Sequence, residues 1–245
     1  MRKHKYLSHI NVGRDGNVIF YLIGEQMRLR SYNQPKDPKT EKQLRDRNLH
    51  GTLNLISAQT KALRQFCYKG VPTYSNSHNA FIGLHKQFMR KASLDTAKVY
   101  EHLHWSRGKR SGAKSMTVER SNHHFLLKWR PGNMNAMSDY KSTAIWVLRN
   151  VSKEYWKWNL TAGLRPDGQC SISLRDDHYM DECILWLFFY NPKLKQFSED
   201  QIMHIPAGET SCTKAFGGNY DADWSLYESI YEEVIASRQE ERINW

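Results

Sequence analysis

The sequence predicts an α+β protein, and three changes of hydrophobic period along its 245 residues support this class. Apolar residues recur at helical spacing between residues 41 and 90. From about Lys98 the period changes to two, the period of half-buried β-strands. An amphipathic helical pattern returns over residues 223–242. With a β-hairpin before the first helix, we expect a hairpin, a helical hairpin, an antiparallel β-sandwich and a C-terminal helix, in that order.

The first element is a β-hairpin, predicted over residues 17–31. Val18–Ile23 is an apolar run of β-prone residues, Gly24 and Glu25 supply a turn, and residues 26–30 alternate on the return. An isolated hairpin is only marginally stable in water, so this one must pack against a partner.

Two helices follow a polar linker that contains two prolines, at residues 33–38. Thr40 and Gln43 have the spacing of a capping box, so a helix is predicted from residue 41 to 66. A second helix is predicted over residues 75–90, and the short break between them favours an antiparallel helical hairpin. The apolar stripes of the two helices are Leu49, Leu53, Ile56, Leu63 and Phe66, and Ala80, Phe81, Leu84 and Phe88.

Eight strands are predicted after the helices, and turn-forming Pro, Gly, Asn and Asp residues separate several of them. Strands at this spacing predict a β-sandwich. Residues 184–190 are nearly all apolar or aromatic, which predicts a central strand buried on both faces. The eight strands are residues 99–105, 115–119, 124–129, 143–150, 155–161, 169–174, 183–191 and 196–198.

The net charge of +11 is unevenly distributed. Residues 1–115 carry 22 Lys and Arg against 7 Asp and Glu, whereas residues 206–245 carry 3 against 8. We therefore divide the chain into a basic module (1–95), a sandwich domain (96–205) and an acidic tail (206–245). A basic module can bind nucleic acid or an acidic protein surface, and an acidic tail can dock on a basic neighbour, such as another copy of the chain.

The candidate contact residues follow from this charge pattern. The basic ones are Arg2, Lys3, Lys5, Arg28, Arg30, Arg45, Arg47, Arg107, Lys109, Arg110 and Lys114. In the tail, the aromatic residues that share one side of the predicted helix are Trp224, Tyr227 and Tyr231.

Several chemistries find no support in the sequence. It contains no G-x-S-x-G, H-E-x-x-H or P-loop motif, so no catalytic residue and no cofactor is predicted. Residues 176–182 are acidic, and we interpret them as a solvated loop, with a hard cation as the alternative. His102 and His104 are expected on one face of a strand, without the spacing of a zinc site.

Other features bear on packing and location. Trp156 and Trp158 are interpreted as core residues, the alternative being an exposed protein or glycan contact. The basic N-terminus lacks an apolar segment, so no signal peptide is expected. No apolar run approaches the ~20 residues of a transmembrane helix. The four cysteines form no C-x-x-C pair and are expected to be reduced, and Cys67 is expected to be a small buried residue.

A set of short motifs occurs in a fixed order between about residues 13 and 205. These motifs are Gly16-Asn17-Val18, Arg28-Leu29-Arg30-Ser31, residues 37–43 with Arg47, Asn79-Ala80-Phe81, Ser106-Arg107-Gly108, Lys128-Trp129, Asp167-Gly168 and Phe189-Tyr190-Asn191-Pro192. Their order resembles an uncharacterised family of proteins common in Bacteroidota and their phages. This chain has Thr40-Glu41-Lys42-Gln43 where the family usually has Thr-Pro-x-Gln, and the acidic tail has no counterpart in it.

The resemblance implies an immunoglobulin-like β-region and an association with phages, and it supplies no catalytic residue. Together with the charge pattern, it leads us to expect a non-enzymatic structural protein of a phage or phage-like particle. Such a protein contacts other copies of itself or neighbouring particle proteins, in a virion or in the cytoplasm, and not a membrane. The alternative is a nucleic-acid-associated protein that binds phosphates through its basic half.

Overall fold

The chain divides into two compact units, residues 1–44 and 45–245. A computed structural model confirms the α+β class, with helices and antiparallel sheets in separate parts of the sequence. It describes residues 13–23, 26–32, 37, 39–71, 74–92, 96–106, 108, 110–121, 124–131, 139–175, 178–208 and 211–212. The predicted turn at Gly24 and Glu25 and the predicted C-terminal helix lie outside these residues.

The first unit contains a three-stranded antiparallel sheet. Its strands are β1 (Gly13–Asp15), β2 (Val18–Ile23) and β3 (Gln26–Ser31), in the order β1-β2-β3. The predicted hairpin is therefore confirmed as β2 and β3. The additional strand β1 precedes a turn in which Gly16 has a positive φ of 54°, a conformation that glycine adopts readily.

Among the described residues, three α-helices follow: α1 (Glu41–Gln59), α2 (Lys61–Cys67) and α3 (Ser77–Lys91). The predicted capping box is present, because the backbone N–H groups of Thr40 and Gln43 each donate to the other's side chain at 3.3 Å. This pair begins α1.

The single helix predicted over residues 41–66 is instead two helices, α1 and α2. At Thr60 the backbone turns to ψ 30°, and the hydroxyl donates to the carbonyl oxygen of Ile56 at 2.6 Å. A threonine hydroxyl that bonds back to the preceding turn competes with the backbone ladder and bends the helix.

In the part of the chain that the structure describes, nine further strands form two antiparallel sheets. They are β4 (Ser115–Ser121), β5 (His124–Arg130), β6 (Thr143–Asn150), β7 (Tyr155–Asn159), β8 (Gln169–Ser173), β9 (Cys183–Asn191), β10 (Gln196–Phe197), β11 (Gln201–Ile205) and β12 (Ser211–Cys212). One sheet has the order β10-β9-β6-β7, with β11 also pairing β9, and the other has the order β12-β4-β5-β8. Seven of the nine were predicted; β11 and β12 were not.

Strand β9 is buried on both faces, as the sequence predicted. Leu185 and Leu187 belong to a hydrophobic cluster with Phe125 of β5, between the two sheets. Trp186 and Phe188, on the opposite face, belong to a cluster that includes the buried residues of α1, α2 and α3. The second unit therefore has a helical layer, a five-stranded sheet and a four-stranded sheet.

The boundary between the two compact units falls inside α1. The sequence-based division treats the helices as part of a separate N-terminal module. In the structure, apolar residues of all three helices share a cluster with β6 and β9. Burying one face of the five-stranded sheet against the helices places both in one compact unit.

The prediction of a strand over residues 99–105 is wrong. Thr96–His102 is a 3-10 helix, and residues 103–106 form no regular element. The backbone N–H groups of His104 and Trp105 donate to the side chains of His85 and Asp200, and not to a neighbouring strand. His102 and His104 therefore do not share the face of a strand.

Candidate functional site

Five apolar residues share one face of the N-terminal sheet, and we call this group the apolar sheet face: Val18, Phe20, Leu22, Met27 and Leu29. At the end of this face the polar residues Asp15 and Ser31 both pair with Val18. The register pairs Phe20 with Leu29 and Leu22 with Met27, and directly opposed residues of an antiparallel pair lie on the same face. Leu29 is 67 % exposed and Leu22 is 45 % exposed. Contiguous exposed apolar side chains are typical of an interaction surface.

The opposite face of this sheet carries the two predicted basic contacts of the hairpin. Arg28 pairs with Tyr21 and Arg30 pairs with Ile19. The Arg30 guanidinium lies 5.9 Å from the centroid of the Tyr21 ring, which is within the range of a cation–π contact. Both arginines are exposed, so this face, the arginine sheet face, presents positive charge to solvent.

The remaining basic candidates differ in their surroundings. Arg45 and Arg47 are exposed in the first turns of α1, and Lys114 is exposed next to β4. Arg110 is half-buried and forms an ion pair with the buried carboxylate of Asp139, so it links two segments of the second unit. Outside the described residues lie Arg2, Lys3, Lys5, Arg107 and Lys109, as do Trp224, Tyr227 and Tyr231 of the tail.

The acidic segment 176–182 is only partly described, because Asp176 and Asp177 lie outside the described residues. Its other carboxylates have protein partners. The Asp181 carboxylate accepts from the Asn150 amide at 2.8 Å, and the Glu182 carboxylate lies 2.6 Å from the Nε2 of His204. Where the chain is described, no three His, Cys, Asp or Glu side chains cluster closely enough to hold a metal ion.

Trp156 and Trp158 pack against the helix-side hydrophobic cluster, in agreement with the core interpretation. The Trp156 indole N–H donates to the side-chain oxygen of Gln59 in α1 at 3.0 Å. On the neighbouring strand, the Arg149 guanidinium lies over the Trp156 ring, 5.3 Å from its centroid. Sequence reasoning did not single out Arg149, because nothing local marks a strand arginine as buried.

A buried carboxylate, Asp200, fixes residues 104–106. It accepts from the backbone N–H groups of Trp105 at 2.7 Å and Ser106 at 3.3 Å, and it lies 3.1 Å from the Nδ1 of His104. Asp200 and His104 are almost completely inaccessible to solvent. The sequence shows no sign of this network, because its members are some 95 residues apart.

His85 completes this buried polar network. Its Nε2 accepts from the backbone N–H of His104 at 3.0 Å, so its Nδ1 must carry the proton that it donates to the carbonyl oxygen of Phe81 at 2.8 Å. Burial of the imidazole lowers the pKa of His85 to about 3. The ring is therefore neutral near pH 7 and has a structural bonding role.

The described thiols are unsuited to nucleophilic chemistry. Burial raises the pKa of both Cys170 and Cys183 to about 12, so neither forms a thiolate near neutral pH. Cys67 in α2 is fully buried, as expected from the sequence. Cys170 and Cys183 carry free thiols.

A cavity of about 490 Å³ lies between the end of α2 and the start of α3. Of the described residues that line it, Lys69 is the charged one and the others are polar residues or glycine. The lining residues are Gln65, Lys69, Gly70, Ser75, Asn76 and Ser77.

No protein-family model, curated protein or solved structure matches the chain. Within the described part of the chain, every helix is too short or too polar to cross a bilayer.

Proposed function

We propose that this protein is a non-enzymatic assembly protein that forms oligomers through its apolar sheet face. The observation that carries the proposal is the exposure of Leu22 and Leu29 on a face with no polar side chain between them. Sheets of two or three strands gain stability mainly by packing such a face against a partner. Burying a leucine side chain contributes roughly 1.5–3 kcal/mol, so a partner that covers both stabilises the sheet substantially.

The occupant that we propose for this face is the acidic C-terminal segment of a neighbouring copy. Residues 1–44 carry nine Lys and Arg against four Asp and Glu, a net charge of +5, whereas residues 206–245 have a net charge of −5. The aromatic residues Trp224, Tyr227 and Tyr231 give the predicted tail helix an apolar side. A helix of 20 residues is about 30 Å long, which is enough to cross six-residue strands of about 20 Å.

The setting that we propose for this assembly is a phage or phage-like particle, in which the protein contacts other copies or neighbouring particle proteins. The resemblance described above supports this setting. It also supports the proposal that the two packed sheets form an immunoglobulin-like sandwich. On this proposal the protein is found in the virion, and in the cytoplasm before assembly.

Oligomer formation is tested by light scattering coupled to size-exclusion chromatography, at several protein concentrations. Leu29→Glu places a charge on the apolar sheet face and should lower the average mass towards that of the monomer. Leu194→Glu is the matched control, because Leu194 is 44 % exposed in the turn between β9 and β10. A wild-type protein that stays monomeric at high concentration, and that is missing from purified particles, contradicts the proposal.

The identity of the occupant is tested by photo-crosslinking from position 29 in the full chain. Copies labelled with 14N and 15N are mixed before irradiation, so that mass spectrometry distinguishes crosslinks between copies from those within a copy. Mixed-isotope crosslinks to peptides from residues 213–245 support the tail as occupant. Mixed-isotope crosslinks to another region leave assembly standing but reject the tail, and crosslinks confined to one isotope reject the neighbouring copy.

The second candidate function is binding of nucleic acid through the arginine sheet face, which the exposure of Arg28 and Arg30 favours. Affinity for a duplex should fall steeply as salt rises, and replacing both arginines by glutamine should reduce the slope of log K against log salt by about 2. Lys193→Gln, in an exposed turn, is the control for loss of charge. An affinity for the duplex that does not change with salt concentration, or no binding at all, contradicts this candidate function.

A further inference from the structure

Arg149 is a buried arginine on the helix-facing side of β6. It is 5 % exposed and belongs to the same strand face as Val147, a residue of the helix-side cluster. Its guanidinium carbon lies 5.0 Å from the centroid of the Tyr100 ring and 5.3 Å from that of Trp156. Two cation–π contacts therefore restrict the orientation of the guanidinium.

The hydrogen-bond donors of Arg149 are not used within the described part of the chain. Its Nη1 is buried without an acceptor, and its guanidinium forms no ion pair there. Two other buried arginines, in contrast, donate to backbone carbonyl oxygens. Arg64 donates to the carbonyl oxygen of Ser57 at 3.1 Å, and Arg165 donates to that of Pro131 at 2.6 Å. A buried charged donor without an acceptor is costly, so an acceptor from outside the described chain would stabilise it.

A second buried donor without an acceptor belongs to the same aromatic cluster. The indole N–H of Trp105 has no acceptor among the described residues, and the Trp105 ring packs edge-on against Trp156 with centroids 5.5 Å apart. Tyr100 and Trp156 are only half-buried, so the cluster reaches the protein surface. It therefore combines a fixed cation and unused donors with two rings, Tyr100 and Trp156, that reach the surface.

We propose that Arg149 binds an oxyanion, the carboxylate or phosphate group of a ligand, while Tyr100 and Trp156 hold the guanidinium in place. An oxyanion has only acceptor atoms, and its oxygens match the parallel N–H groups of a guanidinium in a bidentate pair. A guanidinium held by aromatic rings loses little further freedom when it binds. This site is independent of the assembly surface on the N-terminal sheet.

The direct test follows the side-chain Nε–H signals of the arginines by NMR in the full wild-type chain. Sodium acetate and sodium phosphate are titrated separately against sodium chloride at matched ionic strength, and the Arg149 signal is assigned by its loss in Arg149→Lys. A saturable shift of this signal with acetate alone indicates a carboxylate ligand, and one with phosphate alone indicates a phosphate ligand. No saturable shift with either anion overturns the proposal.

A thermal unfolding series gives a second measurement. Wild-type protein should show a midpoint that rises with the logarithm of the concentration of the bound anion, because the anion binds only the folded state. The rise should be lost in Arg149→Gln and kept in Lys153→Gln, which removes an exposed positive charge from the turn after β6. An equal rise of the unfolding midpoint in Arg149→Gln and Lys153→Gln indicates a general effect of salt on charge and also overturns the proposal. The wild-type titration decides the question even where Arg149→Gln does not fold.

Discussion

Replacing Asp200 by alanine should destabilise the protein by roughly 3–5 kcal/mol, because several buried hydrogen-bond donors lose their acceptor at once. The carboxylate lies within 2.7–3.3 Å of the backbone nitrogens of Trp105 and Ser106 and of the Nδ1 of His104. A buried donor that loses its acceptor costs about 1–3 kcal/mol, and the longest of the three bonds contributes least. This loss is a large fraction of the ~5–15 kcal/mol by which most domains are stable.

The measurement is urea unfolding followed by tryptophan fluorescence and by circular dichroism. Asp200→Asn keeps one acceptor oxygen but turns an amide N–H towards existing donors. We therefore expect it to lower the free energy of unfolding by about half as much as Asp200→Ala. Asp46→Ala is the control, since Asp46 forms an exposed ion pair with Arg90 at the protein surface. Such surface pairs contribute at most about 1 kcal/mol.

The reasoning is refuted when Asp200→Ala costs no more than Asp46→Ala with an unchanged dependence on urea. That result means that residues 104–106 keep their conformation without the carboxylate. A difference in the urea dependence alone is not evidence for the network, because it reports a change in the surface exposed on unfolding.

Three further predictions concern a close contact and two buried titratable groups. A Cβ on Gly108 would overlap the backbone carbonyl oxygen of Phe197, so Gly108→Ala should lower the free energy of unfolding by more than ~3 kcal/mol, measured by thermal denaturation. The pKa of His85 is about 3 when folded, so the unfolded chain binds the proton first as pH falls below 6.5. Stability should then fall from pH 6.5 to 3, by up to ~1.4 kcal/mol per pH unit, and His85→Gln should reduce this slope in urea titrations. The pKa of Cys183 is about 12 in the folded protein, against an ordinary value of 9, so this thiol should resist alkylation by iodoacetamide at pH 8 until the protein unfolds. Because the unfolded chain loses this proton first, the free energy of unfolding should decline as the pH rises above 9.

Each of these has an opposing result. An unchanged melting midpoint in Gly108→Ala contradicts the close approach to Phe197. An equal acid slope in wild type and His85→Gln assigns the acid sensitivity to other groups. Alkylation of Cys183 in the native protein, detected by peptide mass spectrometry, contradicts its burial.

Much of the secondary structure was predictable because it follows from local patterns. Thr40 and Gln43 are three residues apart, so the helix start that they form is visible in the sequence. The run from Ile184 to Phe189 predicts a doubly buried strand because no polar residue interrupts it. In both cases the interacting groups, or the pattern that identifies them, lie within one short segment.

The buried polar groups were not predictable, because their partners are distant in sequence. His104 and Asp200 are 96 residues apart, and their contact replaces the strand that an alternating pattern predicts for residues 99–105. Arg149 lies in an apolar strand, and only the fold shows that it is buried between Tyr100 and Trp156. Strand β11 was missed for a similar reason, since its partner is β9 and its own sequence is short.

Strand β9 also has a consequence for how the second unit unfolds. Its two faces contribute to different hydrophobic clusters, so separating either the helical layer or the four-stranded sheet exposes residues of the same strand. Partial opening of one layer therefore weakens the packing of the other, and the two layers are coupled into one cooperative unit. The backbone amides of β9 should accordingly be among the slowest to exchange with deuterium, opening only with the whole unit.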